Sequence, residues 1–346
     1  MTQPAPSTEP ARPRLRRFVY GVLILLALLA VAGFVYQNIF EARDRRFNPM
    51  PGRRVLVGGG SAWPQFSMHI DCTGEGAPAV ILDSGLGDSY VSWRKVQPQI
   101  GKFTRVCSYD RAGIGYSDPS PRIRTSQTIA EELHALLQAS GINPPYILVG
   151  HSLGGFNVRV FAGAYRSEVV GMVLVDASHP EQDNRFPAEL KNMEGSWRRE
   201  IEFMEYAMPL GIPRLLGWCE DDPVARAALC NFHSAREYVA ETNSIPESAA
   251  QTAASGRLGD LPLIVLSHDP DKPSGDVPAD LAKPMNDAWG KMQEELAQLS
   301  TRGRRLVVKN SSHYIQIDQP EVVVDAVKNV VDQVRAPASS GIAARR

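Results

Sequence analysis

The sequence predicts an α/β architecture, a mainly parallel sheet of eight strands with helices on both faces. Two patterns carry that reading. Short apolar runs of strand length recur along most of the chain, and from the third run onward they alternate with segments whose apolar residues return every three or four positions. Alternation of this kind buries a parallel sheet between two helical layers, which explains why the strand runs are continuously apolar.

The N-terminus comes before that pattern. Residues 1–17 are polar and proline-rich, with Arg12, Arg14, Arg16 and Arg17. Phe18 to Tyr36 then runs without a charge and is long enough to cross a bilayer as a helix. A cleaved signal peptide is the competing reading, because Ala30, Val31 and Ala32 form an A-x-A site after a shorter apolar core. Either reading exports the rest of the chain if the arginine-rich tail stays in the cytoplasm. Arg43, Arg45, Arg46, Arg53 and Arg54 follow on the other side, so charge alone does not decide orientation. Residues 37–52 are polar and contain Pro49, Pro51 and Gly52, the composition of a linker. The folded domain is expected over 53–335.

Within it the strand runs are Val55–Val57, Phe66–Ile70, Val80–Leu82, Arg105–Tyr109, Tyr146–Val149, Met172–Val175, Leu263–Leu266 and Arg305–Val308. Helical periodicity is clearest at Thr128–Leu137, Met285–Leu299 and Glu321–Val334. Between the sixth and seventh strands the rhythm breaks. Residues of about 179–259, rich in Glu, Arg, Trp and Met, read as a helical cap, since long insertions in compact domains are usually lids or binding elements. Residues 336–346 are small and polar and read as a disordered tail.

Composition narrows the function classes. The 346 residues are 43% hydrophobic and 22% charged, with a net charge of −1, which suits a globular protein and offers no basic field for nucleic acid. Of four cysteines, Cys219 and Cys230 lie in a segment without strand character, where an exported chain could bridge them. Cys72 and Cys107 sit in strand runs and read as buried thiols. No C-x-x-C pair is present, so no metal site is expected.

The chemistry centres on Gly150-His151-Ser152-Leu153-Gly154, which lies between a strand run and a helical run beginning at Phe156. A sharp strand-to-helix turn holds its serine in a strained conformation and lifts the hydroxyl above the sheet edge. Ser152 is therefore the expected nucleophile. A serine hydroxyl needs a base within reach and a third group to orient that base. Of seven histidines, His313 follows the last strand in the turn Asn310-Ser311-Ser312 and so falls at the same C-terminal edge. His151 is on the elbow itself, His134 is in a helical run, His69 and His268 are near strand ends, and His179 and His233 are at or in the cap. For the acid, Asp176 closes the sixth strand, whereas Asp269 and Asp271 follow the seventh. Asp176 is preferred, with Asp271 the alternative. Backbone N–H groups should hold the oxyanion: Leu153 directly after the nucleophile, and Leu86 in the glycine-rich loop after the third strand.

With nucleophile, acid and histidine in that order, the sequence resembles the α/β-hydrolase superfamily over about Val55 to Val334. The Tyr109-to-Asp118 stretch resembles the family's loop after the fourth strand, which is chiefly structural there. His313 to Pro320 is similar to its histidine loop. Ser84-Gly85 stands where many relatives carry His-Gly, and His268-Asp269-Pro270-Asp271 matches their Gly-x-x-Asp pattern only at its last position. The resemblance implies an α/β-hydrolase fold and a cofactor-independent serine hydrolase for a small-molecule or lipid-like ester. Haloalkane dehalogenases and epoxide hydrolases of the family carry aspartate at the elbow, so Ser152 points away from both. A carboxylesterase is expected, membrane-anchored with its catalytic domain outside the cytoplasm. Lipase, thioesterase, lactonase, peptidase and acyltransferase are variants of the same chemistry. A tethered binding protein without turnover is the alternative from another class.

Overall fold

A computed structural model describes residues 12–59, 63–272 and 277–336. Its first element is a single helix, α1 (Arg12–Phe47), whose apolar stretch has a mean hydropathy of 2.7 and is not buried inside the protein. Residues 37–47, expected to belong to a linker, continue this helix. The reason lies in tertiary contacts, since Gln37 is buried against the rest of the chain, and the helix ends just before Asn48 and Pro49. Residues 1–11 of the polar tail and 337–346 of the expected disordered tail lie outside the described residues.

Each expected apolar run forms a strand. They are β1 (Arg53–Val57), β2 (Phe66–Thr73), β3 (Ala79–Asp83), β4 (Val106–Tyr109), β5 (Tyr146–His151), β6 (Val169–Val175), β7 (Leu263–Ser267) and β8 (Gly303–Val307). One eight-stranded sheet contains them, in the order β1-β2-β4-β3-β5-β6-β7-β8. From β3 to β8 all pairs are parallel, while β2 runs antiparallel to both β1 and β4. Every residue of β3, β4, β5 and β7 is buried, as expected for strands covered on both faces.

Helices complete the layers: α2 (Gln97–Ile100), α3 (Ser126–Ala139), α4 (Gly154–Ala164), α5 (Gln182–Arg185), α6 (Ala188–Ala207), α7 (Ile212–Leu215), α8 (Pro223–Leu229), α9 (Phe232–Asn243), α10 (Ile245–Ala254), α11 (Ala279–Ala297), α12 (Ile315–Asp318) and α13 (Pro320–Arg335). Side chains of β5 alternate between two cores. Leu148 packs with Leu133, Phe161 and Leu296 of α3, α4 and α11, and Val149 packs with Ile100, Val327 and Val331 of α2 and α13. The interval between β6 and β7 is filled by α5 to α10, a helical insert.

Two disulfides are present. Cys219–Cys230 closes a loop of the insert. Cys72–Cys107 corrects the expectation of buried thiols, because the antiparallel register of β2 on β4 sets the two residues directly opposite, with Cα atoms 4.1 Å apart.

Candidate active site

Ser152 follows β5 with φ of 51°, the left-handed region that costs a non-glycine residue about 1 kcal/mol or more. The surrounding backbone keeps it there. Ser152 N–H donates to Val175 O at 3.2 Å, and its carbonyl accepts from Gly155 N at 2.9 Å and Ser178 N at 3.0 Å. Side chains are excluded on either side: a Cβ on Gly150 would lie 2.5 Å from Gly154 O, and one on Gly154 2.4 Å from Asp83 O. Among the described residues the other non-glycines with positive φ are Asp176 (42°) and Asn310 (62°), at the end of β6 and in the turn before His313. Strain thus collects at the three strand ends from which the expected triad comes.

The structure brings Asp176 and His313 together. His313 Nδ1 lies 2.6 Å from Asp176 Oδ2, and the ring of His313 lies 4.7 Å from that of His151 between centroids. His151 Nε2 also donates to the His313 carbonyl at 3.0 Å, tying the histidine turn to the elbow. No hydrogen bond joins the Ser152 hydroxyl to His313 among the described residues. Burial, and then the nearby His313 charge, lower the His151 pKa to about 3, so this ring is neutral.

Asp176 is fully buried and accepts three further hydrogen bonds. They come from His268 N (3.0 Å), His268 Nδ1 (2.8 Å) and Trp289 Nε1 (2.8 Å). Burial alone would raise its pKa, but hydrogen bonds from His268 and His313, with their charges, outweigh that and hold the carboxyl well below the usual range.

His268 and Trp289 were not singled out by the sequence. His268 Nε2 faces Asn286 Oδ1 at 3.3 Å, and Asn286 donates through Nδ2 to Pro270 O at 2.7 Å, which fixes the amide's orientation. With an acceptor at each ring nitrogen, the site favours the charged form of His268. Burial pushes its pKa down, but the Asp176 hydrogen bond and charge push harder and raise it. The only sequence signal was a histidine directly after the seventh strand.

Asp269 and Asp271 serve a different purpose. Asp269 accepts from Asn310 N at 2.9 Å and pairs with Lys309 at 3.1 Å, and exposed Asp271 meets Lys309 at 3.3 Å. Both brace the loop leading to His313 without touching its ring.

The loop after β3 is held by Arg111, a residue the sequence placed in a structural loop. Its Nη1 donates to Asp83 Oδ1 (3.0 Å) and Ser84 O (2.8 Å), and its Nη2 to Gly85 O (2.7 Å). The guanidinium also grips Glu241 of α9 with two bonds, from Nε at 2.5 Å and Nη2 at 2.8 Å. The N–H groups of Leu86 and Leu153 carry no hydrogen bond among the described residues. Beside this loop a cavity of about 360 Å³ is lined by Leu86 and Gly87 on one side and by Met204, Met208 and Trp218 of the insert on the other. The described residues contain no group of three or more His, Cys, Asp or Glu arranged to hold a metal.

Comparison with known proteins agrees with this layout. The family described as alpha/beta hydrolase fold matches residues 78–221, from the start of β3 into the insert. A thermophilic esterase from Thermogutta terrifontis superposes with a TM-score of 0.60 at 21% identity, covering 82% of this chain and 99% of the esterase. The haloalkane dehalogenase DatA of Agrobacterium tumefaciens C58 superposes with a TM-score of 0.62 at 16% identity, covering 82% and 97%. YqjL of Bacillus subtilis, an uncharacterized protein, is 26% identical over 280 residues, 78% of this chain and 93% of YqjL. Esterase and dehalogenase share the sheet and differ in chemistry, so at these identities the likeness speaks for the fold. Sheet order, elbow and structural neighbours agree: the chain has the α/β-hydrolase fold, and the model of that family matches its residues 78–221.

Proposed function

We propose that this protein is a serine hydrolase cleaving carboxylic esters through Ser152, His313 and Asp176. The observation that carries the reading is the 2.6 Å contact between His313 Nδ1 and Asp176 Oδ2 beside a serine in a strained elbow. Because the carboxylate holds the proton on Nδ1, Nε2 of His313 is free to act as base toward the Ser152 hydroxyl. Ser152 attacks the ester carbonyl while His313 takes its proton. The oxyanion forms against the N–H groups of Leu86 and Leu153, and His313 then protonates the leaving alcohol. Water, activated by the same imidazole, releases the acyl group. The contact between Ser152 and His313 closes when substrate excludes water, as catalytic hydrogen bonds often do.

The insert acts as the cap that shapes the alcohol and acyl sites, with Glu241 and Arg111 joining it to the oxyanion loop. α1 anchors the protein in a membrane, and the two disulfides favour an oxidising compartment for the domain. A fluorophosphonate tests the chemistry. It should form an adduct on Ser152 in the folded protein, in parallel with hydrolysis of p-nitrophenyl esters. Labelling no greater than in a heat-unfolded control would instead mark a binding protein without turnover.

A further inference from the structure

α1 does not lead to the domain through a free tether; its end is docked on the helical insert. Gly33, within the apolar stretch, approaches so closely that a Cβ there would lie 2.3 Å from Leu210 O, and the ring of Tyr36 packs against Gly211. Past that stretch, buried Gln37 donates to Cys230 O at 2.9 Å. Arg214 reaches from Gln37 Oε1 (3.3 Å) to the Asp44 carboxylate, which also faces Arg226 at 3.5 Å. Leu210 and Gly211 are thereby fixed beside Gly33 and Tyr36, at the level where the apolar stretch ends, and Arg214 beside Gln37 to Asp44, within about two helical turns, about 12 Å, beyond it.

At that level the insert turns large apolar side chains outward. Phe203, Tyr206, Leu210, Leu215, Leu216 and Trp218 are all exposed, Tyr206 to 74% and Leu215 to 73%. Phe203 and Tyr206 share one face of α6 with exposed Arg199, at positions i, i+4 and i+7. The Phe203 and Trp218 rings meet edge to face, 6.4 Å apart, so the patch is continuous across the α6–α7 corner. In water such a patch is a liability, whereas Trp and Tyr beside a cation are the side chains that settle at a lipid–water boundary. Trp218 also lines the cavity that runs between Met204, Met208 and the oxyanion loop.

We infer that this face of the insert lies in the membrane interface, seated on the bilayer that α1 crosses. The substrate is a membrane-resident amphiphile, an ester with an apolar tail that enters from the lipid past Trp218 and Met208 to reach Ser152. The lipid surface is the occupant because the apolar stretch itself sets the height of the insert, leaving its exposed face at the bilayer boundary. The substrate part rests on the serine esterase reading above; the docking part rests only on α1 spanning the membrane.

The full chain in phosphatidylcholine vesicles provides the test. Its native cysteines are all bonded, so Phe34→Cys, Tyr206→Cys, Leu215→Cys and Glu321→Cys each accept a single environment-sensitive fluorophore. Spin-labelled lipid should quench the probes at positions 34, 206 and 215, and leave the probe at 321, on α13, unaffected. Quenching at 34 with none at 206 and 215 would overturn the docking, as would no quenching at 34. Shielding of positions 206 and 215 that vanishes on lipid dilution would indicate a second copy of the chain on this face, and would overturn it too. In a second arm, Tyr206→Ser with Leu215→Ser should cut hydrolysis of a long-chain ester embedded in vesicles at least about tenfold and leave p-nitrophenyl acetate hydrolysis within about twofold. Equal effects on both substrates would overturn entry from the lipid. A wild-type chain that takes no fluorophosphonate on Ser152 yet shows the quenching pattern would refute the esterase reading and leave the docking standing.

Discussion

Asp176 carries four hydrogen bonds, two of them from side chains of different histidines, and this sets what each substitution at the site should do. Under the proposed mechanism Ser152→Ala and His313→Ala should each lose at least about a thousandfold in turnover, because a nucleophile and its base act as a unit. Asp176→Asn should lose far more than Asp271→Asn, whose carboxylate faces Lys309 and solvent; equal mild losses would refute the triad. His268 makes a pH-dependent contribution. Its folded-state pKa is raised, so its charge favours the folded state fully below about pH 6.5, and this contribution is lost as pH rises through the elevated value. Replacing His268 with Gln should thus cost more stability at about pH 6 than at about pH 9, measured by thermal unfolding. A loss independent of pH would mean that the ring is neutral.

Among the elements, the decisive join is between the β3–α2 loop and the insert. Arg111 is buried, and although desolvation lowers its pKa, Glu241 and Asp83 raise it further. Such a cation is costly to orphan. Glu241→Ala should destabilise the protein by about 3 kcal/mol or more in denaturant unfolding and loosen the loop after β3, while Asp271→Ala at the exposed loop should be neutral. A small effect at Glu241 would show that the insert is held by apolar packing instead. The elbow belongs to this scale as well: its strand, serine and helix were legible from five residues, because glycine spacing and the switch from strand to helix period are local signals. The acid was not. Asp176 and Asp271 both follow strands whose ends share one edge, and only the three-dimensional path of each loop separates the carboxylate under His313 from the one beside Lys309.

For the whole molecule, the apolar N-terminal helix, the disulfides and the contacts between that helix and the insert bear on one compartment. Unfolded without reductant, the chain should show no free thiol; titratable thiols before reduction would contradict the pairing of Cys72 with Cys107 across β2 and β4. Protease outside the membrane should remove the domain beyond Asn48, and full protection there would place it in the cytoplasm. At this scale the sequence erred at residues 37–47. Polar composition suggested a linker because the groups that bury Gln37 and pair Asp44, namely Cys230 O and Arg214, lie far along the chain in the insert.

Periodicity and local turn chemistry alone determined the eight strands, the helical layers, the elbow serine, the histidine loop and the apolar span, since each is written within a dozen or so neighbouring residues. Tertiary structure decided which carboxylate meets His313, that His268 and Trp289 share it, that two strand cysteines are opposite each other, and that α1 runs on past the apolar span and docks on the insert. Those outcomes depend on contacts between residues distant in the chain, whose register no local pattern encodes.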